Sequence, residues 1–398
     1  MSAIPLRAPA RAAPSVLAAL LPIMAMVLIA FLVIGVAMPV LPLHVRDGLG
    51  FGPFMVGVVA GAQFAASLLA RLWSGGTADR HGPKQAVIIG LWAATAAGLL
   101  YFLSLSVVGE PRISVAILLA GRAVLGAAES FIITGATAWG LARVGAENAG
   151  KVIAWIGTAM FAAFAGGAPL GAALYGAGGF AAVASATALA PLATLLIAAS
   201  LQGAAPTHQR SPNVLSVLRR IWVPGVGAAL SSIGFGAIIA FASLLFAERG
   251  WAPVWLPFSA YAAALIAARL LFGHLPDRVG GAKVALVSVI EAAGLALVGL
   301  ASSAAIAALG AAFTGLGYAL VFPGFGVEAV RRAPPESRGT AMGAYTACLD
   351  LALGVSGPAL GGLAAGAGLG AAFIAAALTV LCAAVIAARL LRAAPFAG

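Results

Sequence analysis

The sequence predicts an all-α polytopic membrane protein, with twelve transmembrane helices arranged as two pseudo-symmetric six-helix bundles. Three observations carry that expectation. Charged residues make up 8% of the chain and hydrophobic ones 63%, with a mean hydropathy of +1.09. A soluble domain carries roughly 25% charge, so too little polar side chain is present to cover a surface facing water. The apolar runs are about 20–25 residues long, which matches a helix crossing a hydrocarbon core of about 30 Å. Finally, a polar, glycine-rich island occurs twice. Arg71, Gly75, Asp79, Arg80 and Gly82 reappear as Arg269, Gly273, Asp277, Arg278 and Gly280 at a constant offset of 198. Lys84 has its counterpart in Lys283, one residue later. The offset is close to half of 398 residues, as a duplicated half requires.

In hydrocarbon every backbone polar group must pair internally, so long uncharged runs are expected to be helices. The alternative, a transmembrane barrel, would show short alternating segments, and the sequence has none. Runs between polar breaks place spans at about 16–42, 54–75, 85–107, 114–142, 150–174 and 178–201, then 222–247, 254–274, 283–303, 305–330, 340–365 and 369–391. The first run is too long for the apolar core of a cleavable signal and reads as an uncleaved span behind the basic residues Arg7 and Arg11. Residues 202–221, with Pro206, His208, Arg210, Ser211, Pro212, Arg219 and Arg220, form the one long hydrophilic linker. The expected organisation is therefore an N-terminal bundle over 1–201, the linker over 202–221, and a C-terminal bundle over 222–398.

Lysine and arginine orient the chain. With the first island cytoplasmic, only Arg46, Arg112 and Arg249 of 22 basic residues lie outside, and Arg122 lies within a span. Both termini and the linker are then cytoplasmic. The net charge of +11 is spread over alternate loops, so it marks topology and gives no reason to expect a nucleic-acid partner.

The duplication extends to Glu147-Asn148-Ala149-Gly150 against Glu336-Ser337-Arg338-Gly339, and to Ala168-Pro169-Leu170-Gly171 against Gly357-Pro358-Ala359-Leu360, both at an offset of 189. Two six-span halves of the same orientation are related by an axis along the membrane normal. On these motifs the chain resembles the major facilitator superfamily. The islands resemble that family's signature between spans two and three, Gly121-Arg122 and Gly126 its span-four arginine motif, and Gly166, Gly167, Ala168, Pro169, Leu170 and Gly171 its antiporter-type motif in span five. Further stretches, including Gly121 to Gly140, Val321-Phe322-Pro323 and Leu349-Asp350-Leu351, are similar to the small bacterial permeases labelled arabinose-efflux-like.

The resemblance implies a secondary transporter of a bacterial inner membrane that exports a small organic solute by alternating access, coupled to protons as an antiporter, and monomeric. Sugar or sugar-acid efflux and uncoupled facilitation are the alternatives. It also implies that the islands (Gly75, Asp79, Arg80, Gly82 and Lys84; Gly273, Asp277, Arg278 and Gly280) gate the pathway. Gly167, Pro169 and Gly171, with Gly357 and Pro358, would form an antiport-type seal. One departure is the absence of an acidic residue from the first span, where many proton-coupled relatives carry one.

Charges inside a bilayer are costly and mark function. Arg122, Glu129, Glu291, Glu328 and Asp350 fall within spans. Asp350, Glu129, Arg122 and Glu291 are the candidates for proton coupling, while Glu328 is expected to be a structural partner of Arg278 or Arg331. Arg122 and Glu129 lie seven apart, on one helical face and roughly 10 Å along the axis. Burial raises a carboxyl pKa and a nearby arginine lowers it, so proximity to Arg122 that alternates between states would switch protonation. Glycines at 75 and 82 are expected to permit a tight turn, with Asp79 accepting hydrogen bonds at a neighbouring helix N-terminus. Phe31, Gln63, Thr134, Phe235 and Tyr345 are the candidates for the substrate cavity. Intramembrane polar side chains are few, which favours an amphipathic or weakly polar solute over a sugar that needs many hydrogen bonds.

Cys348 and Cys382 lie in apolar runs, and the four histidines (His44, His81, His208 and His274) are scattered near loops. Neither a metal site nor a disulfide is expected. No phosphate-cradling glycine-lysine loop is present, so neither a nucleotide nor another cofactor is expected, and the chain does not read as an enzyme.

Overall fold

The computed structural model describes residues 16–145, 148–206, 214–334 and 337–393. Several features singled out above lie outside those residues: Arg7, Arg11, Glu147, Glu336, the linker residues His208, Arg210, Ser211 and Pro212, and the side chain of Asp277. Among the described residues the chain is helical throughout and has no strand. Ten segments are long and apolar enough to cross a membrane. One of them, Ala149–Ser200, breaks at Gly178 (φ −144°, ψ 20°) and Gly179 (φ 60°, ψ −157°) and supplies two spans. The shorter apolar helix Leu256–Phe272 supplies the last, which brings the count to the expected twelve.

Numbered in chain order, the spans are α1 (Val16–Ala37), α2 (Pro53–His81), α3 (Pro83–Ser106), α4 (Pro111–Val144), α5 (149–177), α6 (180–200), α7 (Val214–Glu248), α8 (Leu256–Phe272), α9 (Gly281–Gly299), α10 (Ala304–Arg332), α11 (Arg338–Ala367) and α12 (Leu369–Ala393). The starts are written in the sequence. Pro53, Pro83 and Pro111 occupy the first helical turn, where a missing N–H costs nothing. Ser303 caps α10 by accepting a hydrogen bond from the Ile306 N–H at 3.3 Å.

The islands end differently from the expectation. Gly75 stays inside α2, which runs on to His81, and the turn forms at Gly82 with φ 90°. A glycine costs a helix interior only about 1 kcal/mol, and the flanking residues are good enough helix formers to carry α2 through it. In the second copy Gly280 takes the same conformation, φ 96°. Only glycine adopts that backbone without strain.

Helix packing repeats between the halves. α1 packs on α5 as α7 packs on α11, α2 on α4 as α8 on α10, and α3 on α4 as α9 on α10. Two seams join the first six helices to the last six, α2 against α11 and α5 against α8. Close approach at the first seam rests on small residues. A Cβ on Gly57 would collide with the Gly357 carbonyl, and one on Gly361 with Pro53. Both contacts lie toward the loops that the charge count places outside. On that side every residue from Val33 to Pro42 and from Gly234 to Phe246 is buried. Toward the opposite end α1 and α7 alternate buried with exposed residues. That end of the molecule is closed.

Candidate functional site

α2 carries Gln63, Ser67, Arg71 and Ser74, a helical stripe of polar side chains in an otherwise apolar span. It faces α4 on one flank and α11 on the other. The Gln63 amide donates to Glu129 Oε2 at 2.7 Å. Ser74 shares hydrogen bonds with Ser130 at 3.1 Å and Thr134 at 3.3 Å. From the other half of the chain, Asp350 of α11 accepts from Arg71 Nε in a short ion pair, with Ser67 Oγ 3.5 Å from the same carboxylate oxygen. The Asp350 side chain is 2% exposed and that of Arg71 20%, so the pair is screened by little solvent. Asp350, Glu129, Gln63 and Thr134, picked separately from the sequence, thus meet along one helix face. Arg71 and Ser67, which sequence reasoning missed, tie them together.

Arg122 stands elsewhere. Its guanidinium donates to the backbone carbonyls of Val59 at 3.2 Å and Ala60 at 3.5 Å, clamping α4 onto α2. The cation beside the carboxylates is Arg71 instead. Two turns along one helix is too far for a direct pair with Glu129, whereas a neighbouring helix brings a side chain into contact. Glu291 is also apart from the seam. It is fully buried between Gly234 of α7 and Gly317 of α10, where Ser231 Oγ donates to its Oε2 at 2.6 Å. Its other oxygen has no partner among the described residues. Glu328 pairs with Arg331 at 3.3 Å and Arg332 at 2.6 Å.

The two proline-glycine motifs occupy unlike places. Gly167 and Gly171, flanking Pro169 in α5, press on Gly35 and Val36 of α1 within the first six helices. Gly357 and Pro358 of α11 press on Gly57 and Gly61 of α2, across the seam. Beyond Arg71, the hydrogen bonds of the first island stay within its own half. Arg80 Nε donates back to the Gly76 carbonyl at 3.0 Å, and Lys84 Nζ donates to the carbonyls of Ala199 at 3.2 Å and Leu201 at 2.6 Å, at the end of α6. Asp79 makes no hydrogen bond or ion pair among the described residues.

Aromatic rings form a second cluster. Phe31 lies 6.1 Å from Phe164. Phe235 stacks on Tyr261 at 5.4 Å, Tyr318 at 5.8 Å and Phe164 at 6.2 Å. Tyr318 leads to Phe322, and Phe322 to Tyr345, whose hydroxyl donates to the Phe322 carbonyl. Phe31, Phe235 and Tyr345, expected at the cavity, are thus parts of one aromatic band running from α1 to α11. At its edge the Arg269 guanidinium sits 4.8 Å from the centre of the Phe161 ring.

The family model for the Major Facilitator Superfamily matches residues 23–352 and 225–397. The chain belongs to the Major Facilitator Superfamily. An uncharacterized MFS-type transporter of Salmonella typhimurium is 41% identical over 363 residues, 91% of this chain and 94% of that one. The MFS-type transporter YhhS of Escherichia coli K12, likewise uncharacterized, is 38% identical over 352 residues, 87% of this chain and 86% of that one. Among solved structures, the nucleoside transporter NupG superposes with a TM-score of 0.74 at 13% identity, over 94% of this chain and 99% of that one, a likeness of fold alone. The protein is a multi-pass membrane transporter of small molecules and has no enzymatic role.

Proposed function

We propose that this major-facilitator protein exports a small organic solute across a bacterial inner membrane in exchange for protons. It would do so as a monomer, with both termini and residues 202–221 cytoplasmic and the bundles 1–201 and 222–398 rocking about the two seams. One observation carries the reading: Arg71 of one half holds Asp350 of the other, inside the membrane-spanning region, with Glu129 and Gln63 beside them on the same helix face. A charge pair across a moving seam is a natural proton switch. Ionised Asp350 binds Arg71 and favours the outer-closed arrangement. A proton on Asp350 removes the attraction and leaves Arg71 to Glu129 or to water, so protonation and rocking are coupled by one contact.

The islands fit this cycle as latches that engage when the inner side closes. In the arrangement described, the hydrogen bonds of Arg80 and Lys84 stay within the first half. The Gly357–Pro358 motif supports the antiport reading, because it seals the outer part of the same seam.

The polar stripe is short, and the rest of the interior is aromatic and aliphatic. This supports an amphipathic solute over the sugar or sugar acid that the likeness to arabinose-efflux-type permeases would suggest. The test is solute-driven proton flux. Purified protein in liposomes with an internal pH dye and an imposed proton gradient is given sugars and amphipathic compounds in turn, alongside Asp350→Asn and Glu129→Gln. Dissipation by a solute in the wild type, lost in Asp350→Asn, supports antiport. Solute movement without proton flux, unchanged in both variants, would make the protein a facilitator and the carboxylates structural.

A further inference from the structure

The second seam holds an unmatched cation. Arg269 is the counterpart of Arg71 at the island offset of 198, and Phe161 is the counterpart of Asp350 at the offset of 189 that aligns α5 with α11. The structure keeps the geometry and changes the chemistry. Arg71 of α2 reaches α11 and meets a carboxylate, whereas Arg269 of α8 reaches α5 and meets the face of Phe161, with Nη1 against Gly157. Among the described residues no carboxylate, hydroxyl or carbonyl bonds the Arg269 guanidinium. The buried acid of that half, Glu291, is taken up by Ser231. A guanidinium over a ring is partly compensated, but its in-plane N–H donors remain open to a planar anion.

What surrounds Arg269 is suited to the rest of such a ligand. The Phe161 ring beneath it packs on Phe235 at 6.3 Å, and Phe235 in turn stacks on Tyr261 and Tyr318. Tyr318 shares a hydrogen bond with Ser232 at 3.3 Å, while the Tyr261 hydroxyl, in a residue only 2% exposed, has no partner among the described residues. Phe164, Phe235 and the two tyrosine rings continue the aromatic band away from the charge. A cation with free donors, an unsatisfied buried hydroxyl and a flat apolar wall meet at one seam of the transporter.

We propose that Arg269 is a substrate-binding residue, and that the solute is an organic anion whose carboxylate or phosphonate pairs with Arg269 and whose apolar, preferably aromatic, body lies along the Phe164–Phe235–Tyr261 wall. The anion does at the α5–α8 seam what Asp350 does at the α2–α11 seam: it neutralises the arginine and draws the two halves together. The inference rests on the reading of the protein as a solute transporter and adds the class of solute.

Binding is measured on the purified full chain at equal pH on all sides, by the shift in unfolding temperature. The probes are 4-phenylbutyrate, benzylphosphonate, the neutral 4-phenylbutyramide, the cationic 4-phenylbutylamine and sodium chloride as an inorganic anion. We expect the two organic anions to stabilise the wild type, with the amide, amine and chloride inert. Apparent affinity should fall at least tenfold in Arg269→Gln and be partly kept in Arg269→Lys, with both variants eluting as the wild type on gel filtration. Equal stabilisation by the amide or amine, no stabilisation by either organic anion, or an unchanged response in Arg269→Gln each overturns the proposal. The arrangement needs no proton gradient. Anion binding without solute-driven proton flux therefore refutes only the antiport reading, and proton flux driven by a cationic solute refutes only the anion site.

Discussion

The two seams of this molecule are built from one repeated plan and end in different chemistry. At α2–α11 an arginine crosses to an aspartate and is flanked by Ser67, Gln63 and Glu129. At α5–α8 the equivalent arginine crosses to a phenylalanine, whose ring leads through Phe235 to Tyr261 and Tyr318. The first seam answers its own charge, and on the proposed reading it is the joint that responds to protons. The second leaves its charge open and is suited to a ligand. The two joints are equivalent in the repeat and differ at a single pair of aligned positions, Phe161 and Asp350, and under the two proposals that difference assigns one joint to the proton and the other to the cargo.

The largest effects should come from closing or breaking the first seam. Replacing Gly57 by Leu puts a side chain into the Gly357 carbonyl, so the outer side cannot seal. Transport should fall to background, and cysteines placed along the outer halves of α1 and α7 should become reactive to a membrane-impermeant thiol reagent. Asp350→Ala should come next. Removing one member of a buried pair costs about 3–5 kcal/mol, and because Arg71 is 20% exposed the loss should lie at the lower end. It is read as a drop in unfolding temperature, and Arg71→Gln in the same chain should recover most of it while leaving proton coupling absent.

Phe161→Asp sharpens the comparison from the other side. It gives Arg269 the partner that Arg71 has, so the variant should remain folded and lose response to organic anions. If it kept that response, the two seams would differ for some reason other than this residue. Lys84→Ala should have the smallest effect. Its ammonium caps carbonyls at the end of α6 from a partly exposed position, so about 0.5–1.5 kcal/mol of stability is expected to be lost, read as a small drop in unfolding temperature.

Much of this was legible in the sequence because it is written as repetition and as exclusion. Twelve spans, the break near Gly178 and the pairing of the halves follow from apolar length and from motifs recurring at fixed offsets. Asp350, Glu129 and Glu291 stand out because a bilayer tolerates few acids. What could not be read is which cation answers which acid. Arg71 and Asp350 are 279 positions apart and meet only through the crossing of two helices. Arg122, the arginine nearest Glu129 along the chain, spends its donors on the carbonyls of Val59 and Ala60. Arg71 and Arg269 each border a polar island, so by sequence they read as inner-surface charges. Hydropathy gives the depth of a residue, and a helix face has to be known before its neighbour is. The signal that could have found them was already present: both arginines open the repeated island, one helical stretch before the turn that Gly82 and Gly280 form.

The central claim is that protonation of Asp350 releases the α2–α11 seam and lets the outer side open, and it can be tested without knowing the cargo. Spin labels at the exposed outer loop positions Glu110 and Arg249, in a chain whose Cys348 and Cys382 are replaced, report the separation of the two halves in lipid nanodiscs by pulsed electron resonance. The ionised pair is present at high pH and lost as pH falls through the titration of Asp350. The account therefore predicts a short outer distance at pH 8.5, a growing population of a longer one toward pH 5.5, and the longer distance at both pH values in Asp350→Asn. A wild-type distance distribution that ignores pH, or an Asp350→Asn protein that still switches as the wild type does, would contradict it.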